Sequence, residues 1–168
     1  MQDFKYYAPT EVVFGKDAEE HLVEMINKYG GKKVLVHYGG HSAERSGLLA
    51  SVREKLNAAG IAFVELGGVK PNPRLTLVHE GIELCRKENV DFILAVGGGS
   101  VIDSSKAIGY GVKYDGDVWD IYARKYVPTD MLPVGVILTI PAAGSEVSDS
   151  SVITKEDGDL KIGYSNNI

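Results

Sequence analysis

Four short runs, "KKVLVHY" at 32–38, "IAFVEL" at 61–66, "DFILAV" at 91–96 and "LPVGVIL" at 132–138, are apolar along most of their length rather than at every second residue. A strand that is apolar on both of its sides must be covered on both. Helical-period segments separate the first three runs. Leu48, Leu49, Val52, Leu56 and Ala59 recur at that spacing up to Gly60, and Leu75, Val78, Ile82 and Cys85 do the same. A further helix is expected after Gly99. Strands alternating with helices in this way predict an α/β fold, a doubly wound and mostly parallel sheet, over residues 33–140.

Two flanking segments read differently. Phe4–Gly15 holds two β-prone runs around Ala8-Pro9-Thr10 and predicts a hairpin or edge pair. A helix follows, with Asp17 as its cap, Glu20 three residues on, and Ala18, Leu22, Met25, Ile26 and Tyr29 at helical spacing before Gly30. In "SSVITKEDGDLKIGYSN" two further β-prone runs flank Asp157-Gly158, a hairpin signal.

The chain has 168 residues, enough for one good core, and a formal net charge of −5 without any basic block. That balance excludes a nucleic-acid partner, which requires clustered Lys and Arg. The longest apolar runs, such as "VGVILTI", are too short to span a bilayer, so no membrane association is expected. A single cysteine, Cys85, on an apolar helical face, fits a cytoplasmic protein without intrachain disulfides.

The stretch "AVGGGSVIDSSK" joins a strand to a helix through Gly97, Gly98 and Gly99. It matches neither the dinucleotide fingerprint, whose sixth position would here be Ile102, nor a Walker loop, because no Lys follows Gly99. With the strand ending at Val96 and the helix beginning near Val101, the amides of Gly98, Gly99 and Ser100 would face the carboxyl end of the sheet. Two readings stand: a tight turn that lets helix and strand pack closely, or a phosphate cradle. Ser100 can cap the helix with Asp103 in a capping box; because a carboxylate would repel a pyrophosphate, Asp103 either faces away as part of that cap or faces an uncharged part of the ligand.

"GGGSVIDSSKAIG" followed by "LTIPAAGSEVSDSSVIT", together with "YYAPTEVVFG", "YGGHSAERSG" and "GGVKPNP", closely resembles the cofactor domain of iron-containing alcohol dehydrogenases, in the branch of the NAD(P)H-dependent butanol dehydrogenases. The resemblance implies a dehydroquinate-synthase-like, Rossmann-like N-terminal domain with β-hairpin additions spanning residues 1–168. It implies that Gly98, Gly99 and Ser100 receive the pyrophosphate of a nicotinamide dinucleotide, with Asp103 near the nicotinamide. Thr139, Ser145 and Ser148 would line the adenine and ribose side, and Lys161 would reach the nicotinamide ribose. Gly39, Gly40, Ser42 and Asn72 complete the implied cofactor set. From the residues alone, Ser145 and Ser148 read equally well as turn hydroxyls, and Lys161 reads more readily as a solvated hairpin charge.

Cofactor preference follows from the segment after "VLVHY". Gly39, Gly40, His41 and Ser42 come first, and Glu44 and Arg45 follow. Small residues, a hydroxyl and a cation suit a 2′-phosphate, so NADP(H) is expected ahead of NAD(H); Glu44 beside Arg45 weighs the other way. His41 stands where the family pattern often has a third glycine.

By resemblance, the full reaction is hydride transfer between a small primary alcohol or aldehyde and NAD(P), assisted by a divalent metal, iron or zinc. The metal ligands, an Asp and three His, belong to a helical C-terminal half that this sequence does not contain. His21, His37, His41 and His79 are not spaced as ligands on one helical face and are read as ordinary surface or packing histidines. "DGDVWD" at 115–120 lacks the glycine and glutamate offsets of a calcium loop. The chain is thus expected to be a cofactor-binding half, inactive and poorly stable by itself, with a homodimer through the N-terminal strands implied. A glycerol or glycerol-1-phosphate dehydrogenase relative and a non-catalytic nucleotide-binding module are the alternatives.

Overall fold

The computed structural model describes residues 8–168. Its centre is a four-stranded, wholly parallel sheet in the order β2-β1-β3-β4, formed by Lys33–Tyr38 (β1), Ala62–Leu66 (β2), Phe92–Gly97 (β3) and Val134–Leu138 (β4). All four apolar runs became strands, and the doubly wound sheet expected over 33–140 is present.

Alternation along β1 shows why its residues are apolar throughout. Val34 and Val36 pack with Leu22 and Ile26 of α1 (Leu22–Lys28) and with Leu49, Val52 and Leu56 of α3 (Leu48–Ala58). Leu35, on the opposite side, packs with Val78, Ile82 and Cys85 of α4 (Leu75–Glu88) and Ala107 and Ile108 of α5 (Gly99–Val112). Each strand side therefore removes apolar surface from water, about 25 cal/mol per Å² buried. Helices α4 and α5 interlock closely: a Cβ on Gly81 would strike the Ile108 side chain, and one on Gly111 would strike Ile82. Small residues at these points let two helix backbones approach.

The helix expected from Asp17 starts later and less regularly. Asp17 adopts left-handed backbone (φ 59) and makes no side-chain cap bond; a 3-10 turn at Ala18–His21 precedes α1. The capping box therefore does not form. Of the expected N-terminal pair, Phe4–Tyr7 lies outside the described residues, and Glu11–Gly15 is not a strand. Glu11 instead accepts hydrogen bonds from Lys28 Nζ at 2.7 Å and Tyr29 Oη at 2.9 Å. Two one-turn helices, α2 (Ser42–Arg45) and α6 (Trp119–Tyr122), were too short to show a period.

The predicted hairpin forms a separate antiparallel pair, Ser150–Lys155 (β5) and Leu160–Ser165 (β6). It rests on α5 and α6 rather than joining the main sheet. Ile153 and Tyr164 are buried with Tyr110 and Tyr122, whose hydroxyl lies 2.7 Å from Ser151 Oγ.

Candidate functional site

In open α/β sheets a ligand crevice forms where neighbouring strands send their connections to opposite sides. Here β1 leads to β2 on one side, while β3 leads to β4 on the other, so the switch point lies between the carboxyl ends of β1 and β3. A cavity of about 320 Å³ opens there. Gly39, Gly40 and Ser42 line it after β1, Gly98, Gly99 and Ser100 after β3, and Thr139 after β4. Seven of the twelve sequence-predicted cofactor residues thus share one crevice. Val69, Pro71 and Ile140, which carry no polar signal in the sequence, complete its walls.

Helix α5 begins at Gly99, two residues earlier than expected. Gly98 is its N-cap, with no side-chain cap bond, so Ser100 lies within the first turn and not at the cap. Val101 and Ile102 amides bond to Gly98 O, whereas the amides of Gly98, Gly99 and Ser100 have no acceptor among the described residues. Three unpaired donors at a helix N-terminus attract anions.

The glycines test what this crevice can hold. Neither Gly40 nor Gly98 has left-handed backbone. A Cβ on Gly40 would meet nothing within 4 Å, and one on Gly98 would meet only Ile140 Cβ at 3.9 Å. Neither backbone conformation nor protein packing demands glycine at these two positions. What a side chain there would occupy is the crevice itself, which fits a ligand whose phosphates approach the backbone closely.

Asn72 and Lys161 line a second, adjoining depression of about 230 Å³, with Arg74, Thr154 and Asp159. Lys161 Nζ donates to Asn72 Oδ1 at 2.7 Å, so two predicted residues 89 positions apart do meet. Asp103, Ser145 and Ser148 line neither cavity. Asp103 is not a helix cap: its Oδ2 accepts from the Val152 amide of β5 at 3.1 Å, while its buried Oδ1 has no hydrogen-bond partner among the described residues. Burial pushes this carboxyl above its usual range, and the Val152 amide and the nearby Ser145 hydroxyl, the latter without forming a hydrogen bond, oppose that shift. Ser145 and Ser148 lie in the β4–β5 connection, whose fold depends on a residue that the sequence did not single out. Lys106 Nζ, on α5, donates to the carbonyls of Ser145 (2.7 Å), Ser148 (2.7 Å) and Ser150 (2.9 Å).

His37, fully buried on β1, ties neighbouring elements together. Its Nδ1 lies 2.7 Å from Leu66 O, which can only accept, so that nitrogen carries the proton. Nε2 then accepts from Ser104 Oγ at 2.9 Å, joining β1 and the end of β2 to α5. Desolvation lowers the His37 pKa from 6.5 to about 4. Above pH 6.5 the imidazole is neutral in folded and unfolded chain alike. As pH falls from about 6.5 to about 4, the unfolded chain binds a proton that the folded chain refuses, and stability declines. Wild type is expected to lose about 2 to 3 kcal/mol more than His37→Gln between pH 7 and 4.5, as read by urea unfolding. Equal losses would mean that the imidazole is not buried neutral. The Gln amide can donate to Leu66 O and accept from Ser104, which keeps the comparison fair.

His41 stands between the crevice-lining Gly40 and Ser42 without lining the crevice itself, while His21 Nδ1 pairs with Glu24 and His79 Nε2 with Asp117 at 2.9 Å. Among the described residues no three His, Cys, Asp or Glu side chains are grouped to hold a metal ion. No helix among them is long and apolar enough to cross a membrane.

Fold and crevice together define a doubly wound α/β domain open at its topological switch point. The model of the iron-containing alcohol dehydrogenase family matches residues 9–168, and the chain belongs to that family. A probable NADH-dependent butanol dehydrogenase 1 of Bacillus subtilis is 51% identical over 164 residues, 98% of this chain and 42% of that protein. An NADPH-dependent aldehyde reductase of Escherichia coli is 36% identical, over 98% of this chain and 43% of the reductase. The crystal structure of an NADH-dependent butanol dehydrogenase A from Thermotoga maritima superposes with a TM-score of 0.96 at 43% identity, covering 99% of this chain and 42% of that one. The chain therefore spans about two fifths of the length of these relatives.

Proposed function

We propose that this chain is the nicotinamide-dinucleotide-binding part of a cytoplasmic, metal-dependent alcohol dehydrogenase or aldehyde reductase acting on small primary alcohols and aldehydes, with NADP(H) preferred to NAD(H). The observation that carries the reading is the open space above Gly40 and Gly98, beside three unpaired amides at the N-terminus of α5. The substrate class rests on the butanol dehydrogenase and aldehyde reductase relatives.

The amides of Gly98, Gly99 and Ser100 would hold the pyrophosphate, helped by the positive end of the α5 dipole. Gly39, Gly40 and Ser42 would bound the adenosine end, and Thr139 Oγ1 lies at the carboxyl end of β4, where a ribose contact is reasonable. Asn72 and Lys161, joined by their hydrogen bond, would position the nicotinamide ribose, and Asp103, as the family resemblance implies, would lie near the nicotinamide end without lining either cavity. The bound nicotinamide supplies or accepts the hydride. The described residues offer no cluster for the iron or zinc that the family implies.

Preference for NADP(H) draws on the small residues Gly39 and Gly40 and on Arg45, which has no ion-pair partner among the described residues. Glu44, the acid that weighed against this preference, is engaged by Arg53 and not by Arg45. The second reading, NAD(H), is favoured by the names of relatives 51% and 49% identical, both described as NADH-dependent. Titration of the purified chain with NADPH and NADH, followed by nicotinamide fluorescence, distinguishes them. Saturable binding with NADPH at least about tenfold tighter, about 1.4 kcal/mol, is expected. Tighter NADH would reverse the preference alone, and no binding of either by the folded chain would refute the cofactor reading.

A further inference from the structure

Glu44, Arg53 and Glu65 come from three separate elements, α2, α3 and β2, and meet in one clamp. The Arg53 guanidinium donates from Nη1 to Glu44 Oε1 at 3.0 Å and from Nη2 to Glu44 Oε2 at 3.2 Å. From Nε it donates to Glu65 Oε1 at 2.7 Å, and from Nη2 to Glu65 Oε2 at 2.8 Å. Both carboxylates are held in fork geometry by a single cation, an arrangement suited to a planar guanidinium and not to an ammonium. Those bonds hold the Glu65 carboxyl below its usual pKa, so it is ionised.

The clamp is one residue away from the crevice along the chain. Ala43, next to Glu44, lines the crevice, as do Ser42 and, after β1, Gly39 and Gly40, whereas Glu44, Arg53 and Glu65 do not. Glu65 is in register with Val36, two residues before the end of β1. An acid beyond an early strand normally grips the ribose 2′-hydroxyl of NAD, and the same charge repels a 2′-phosphate. Here Glu65 stands near the carboxyl end of β2 and Glu44 in α2, which follows β1, and the oxygens of both are turned onto Arg53.

We propose that Arg53 is a positioning residue that sets cofactor selectivity: by holding Glu44 and Glu65 together it keeps both carboxylates off the adenosine ribose and leaves that end tolerant of a 2′-phosphate. The proposal rests on the reading of the crevice as a nicotinamide-dinucleotide site, but not on which dinucleotide the wild type prefers.

The test measures Kd for NADPH and NADH on the full chain as wild type, Arg53→Met, Arg53→Lys and the triple variant Arg53→Met/Glu44→Gln/Glu65→Gln, each checked for folding by thermal unfolding. Arg53→Met should weaken NADPH relative to NADH by about tenfold. Arg53→Lys should show a smaller shift, and the triple variant, which lacks the clamp but also lacks the charges, should return toward the wild-type ratio. If Arg53→Met does not fold, the lysine and triple variants decide. Equal weakening of both dinucleotides would make the clamp merely structural and overturn the proposal, as would a triple variant whose ratio stays shifted. Wild type that binds neither dinucleotide would refute the underlying reading and this proposal with it, whereas a wild type that binds but shows no ratio change on substitution refutes the proposal alone.

Discussion

Gly98→Val should abolish most nicotinamide-dinucleotide affinity and leave the fold nearly unchanged. Gly98 has φ −97 and ψ −168, extended backbone that any residue adopts. Beyond its chain neighbours, a Cβ at this position would meet only Ile140 Cβ, at 3.9 Å. Loss of a glycine at a helix cap is expected to cost about 1 kcal/mol or less. The volume it would fill is where a pyrophosphate approaches the α5 amides, so Kd should rise by about 100-fold or more, equivalent to about 2.7 kcal/mol. Gly97→Val provides the contrast. Its Cβ would stand 2.5 Å from Val101 Cγ2 and 2.9 Å from Val101 Cβ, so that variant should lose stability first. Unchanged dinucleotide affinity in Gly98→Val would reduce the glycine stretch to a tight turn.

Lys106→Met should carry the largest stability cost among the polar substitutions considered. The ammonium has three donors, and three carbonyls, of Ser145, Ser148 and Ser150, take them at 2.7 to 2.9 Å. Burial lowers the Lys106 pKa and the Asp103 charge partly restores it, so the cation is costly to bury yet well satisfied. Methionine keeps most of the stem volume and removes every donor. The expected loss is about 3 kcal/mol or more in denaturant unfolding, since bonds to a charged group contribute about 1.5 to 3 kcal/mol each and do not add fully. Amide hydrogen exchange at residues 145–150 should accelerate more than in the central strands. A loss below about 0.5 kcal/mol would mean that water replaces the ammonium at those carbonyls.

The strands, the longer helices and the Asp157-Gly158 hairpin were readable because each depends on a local pattern. A fully apolar run, a 3.6-residue period or a turn dipeptide is written within about a dozen consecutive residues. The crevice was partly readable for the same reason: Gly98, Gly99 and Ser100 follow an apolar strand directly, and Gly39 and Gly40 follow another. Where local signals were weak or had competitors, the expectation failed. Asp17 took left-handed backbone instead of capping α1, and Ser100 and Asp103 did not form a capping box, because α5 starts at Gly99.

Asp103 shows the limit most clearly. On its own helix it looked like the partner of a nearby cap, but the hairpin packed against α5 offers it the Val152 amide, 49 residues away. Lys106 and Arg53 gave no signal at all, since their partners lie on other elements and a lysine or arginine on a helix is ordinarily a solvated charge. By itself the sequence determined the four parallel strands, the helices that cover them and the glycine turns at their carboxyl ends, because burial and backbone freedom act on neighbouring residues. Only the tertiary structure decided which carbonyls Lys106 holds, that Arg53 takes Glu44 and Glu65, and that Asn72 meets Lys161. A polar side chain takes its partner from whatever donor or acceptor the packed elements bring within about 3 Å, and that is a property of the whole fold.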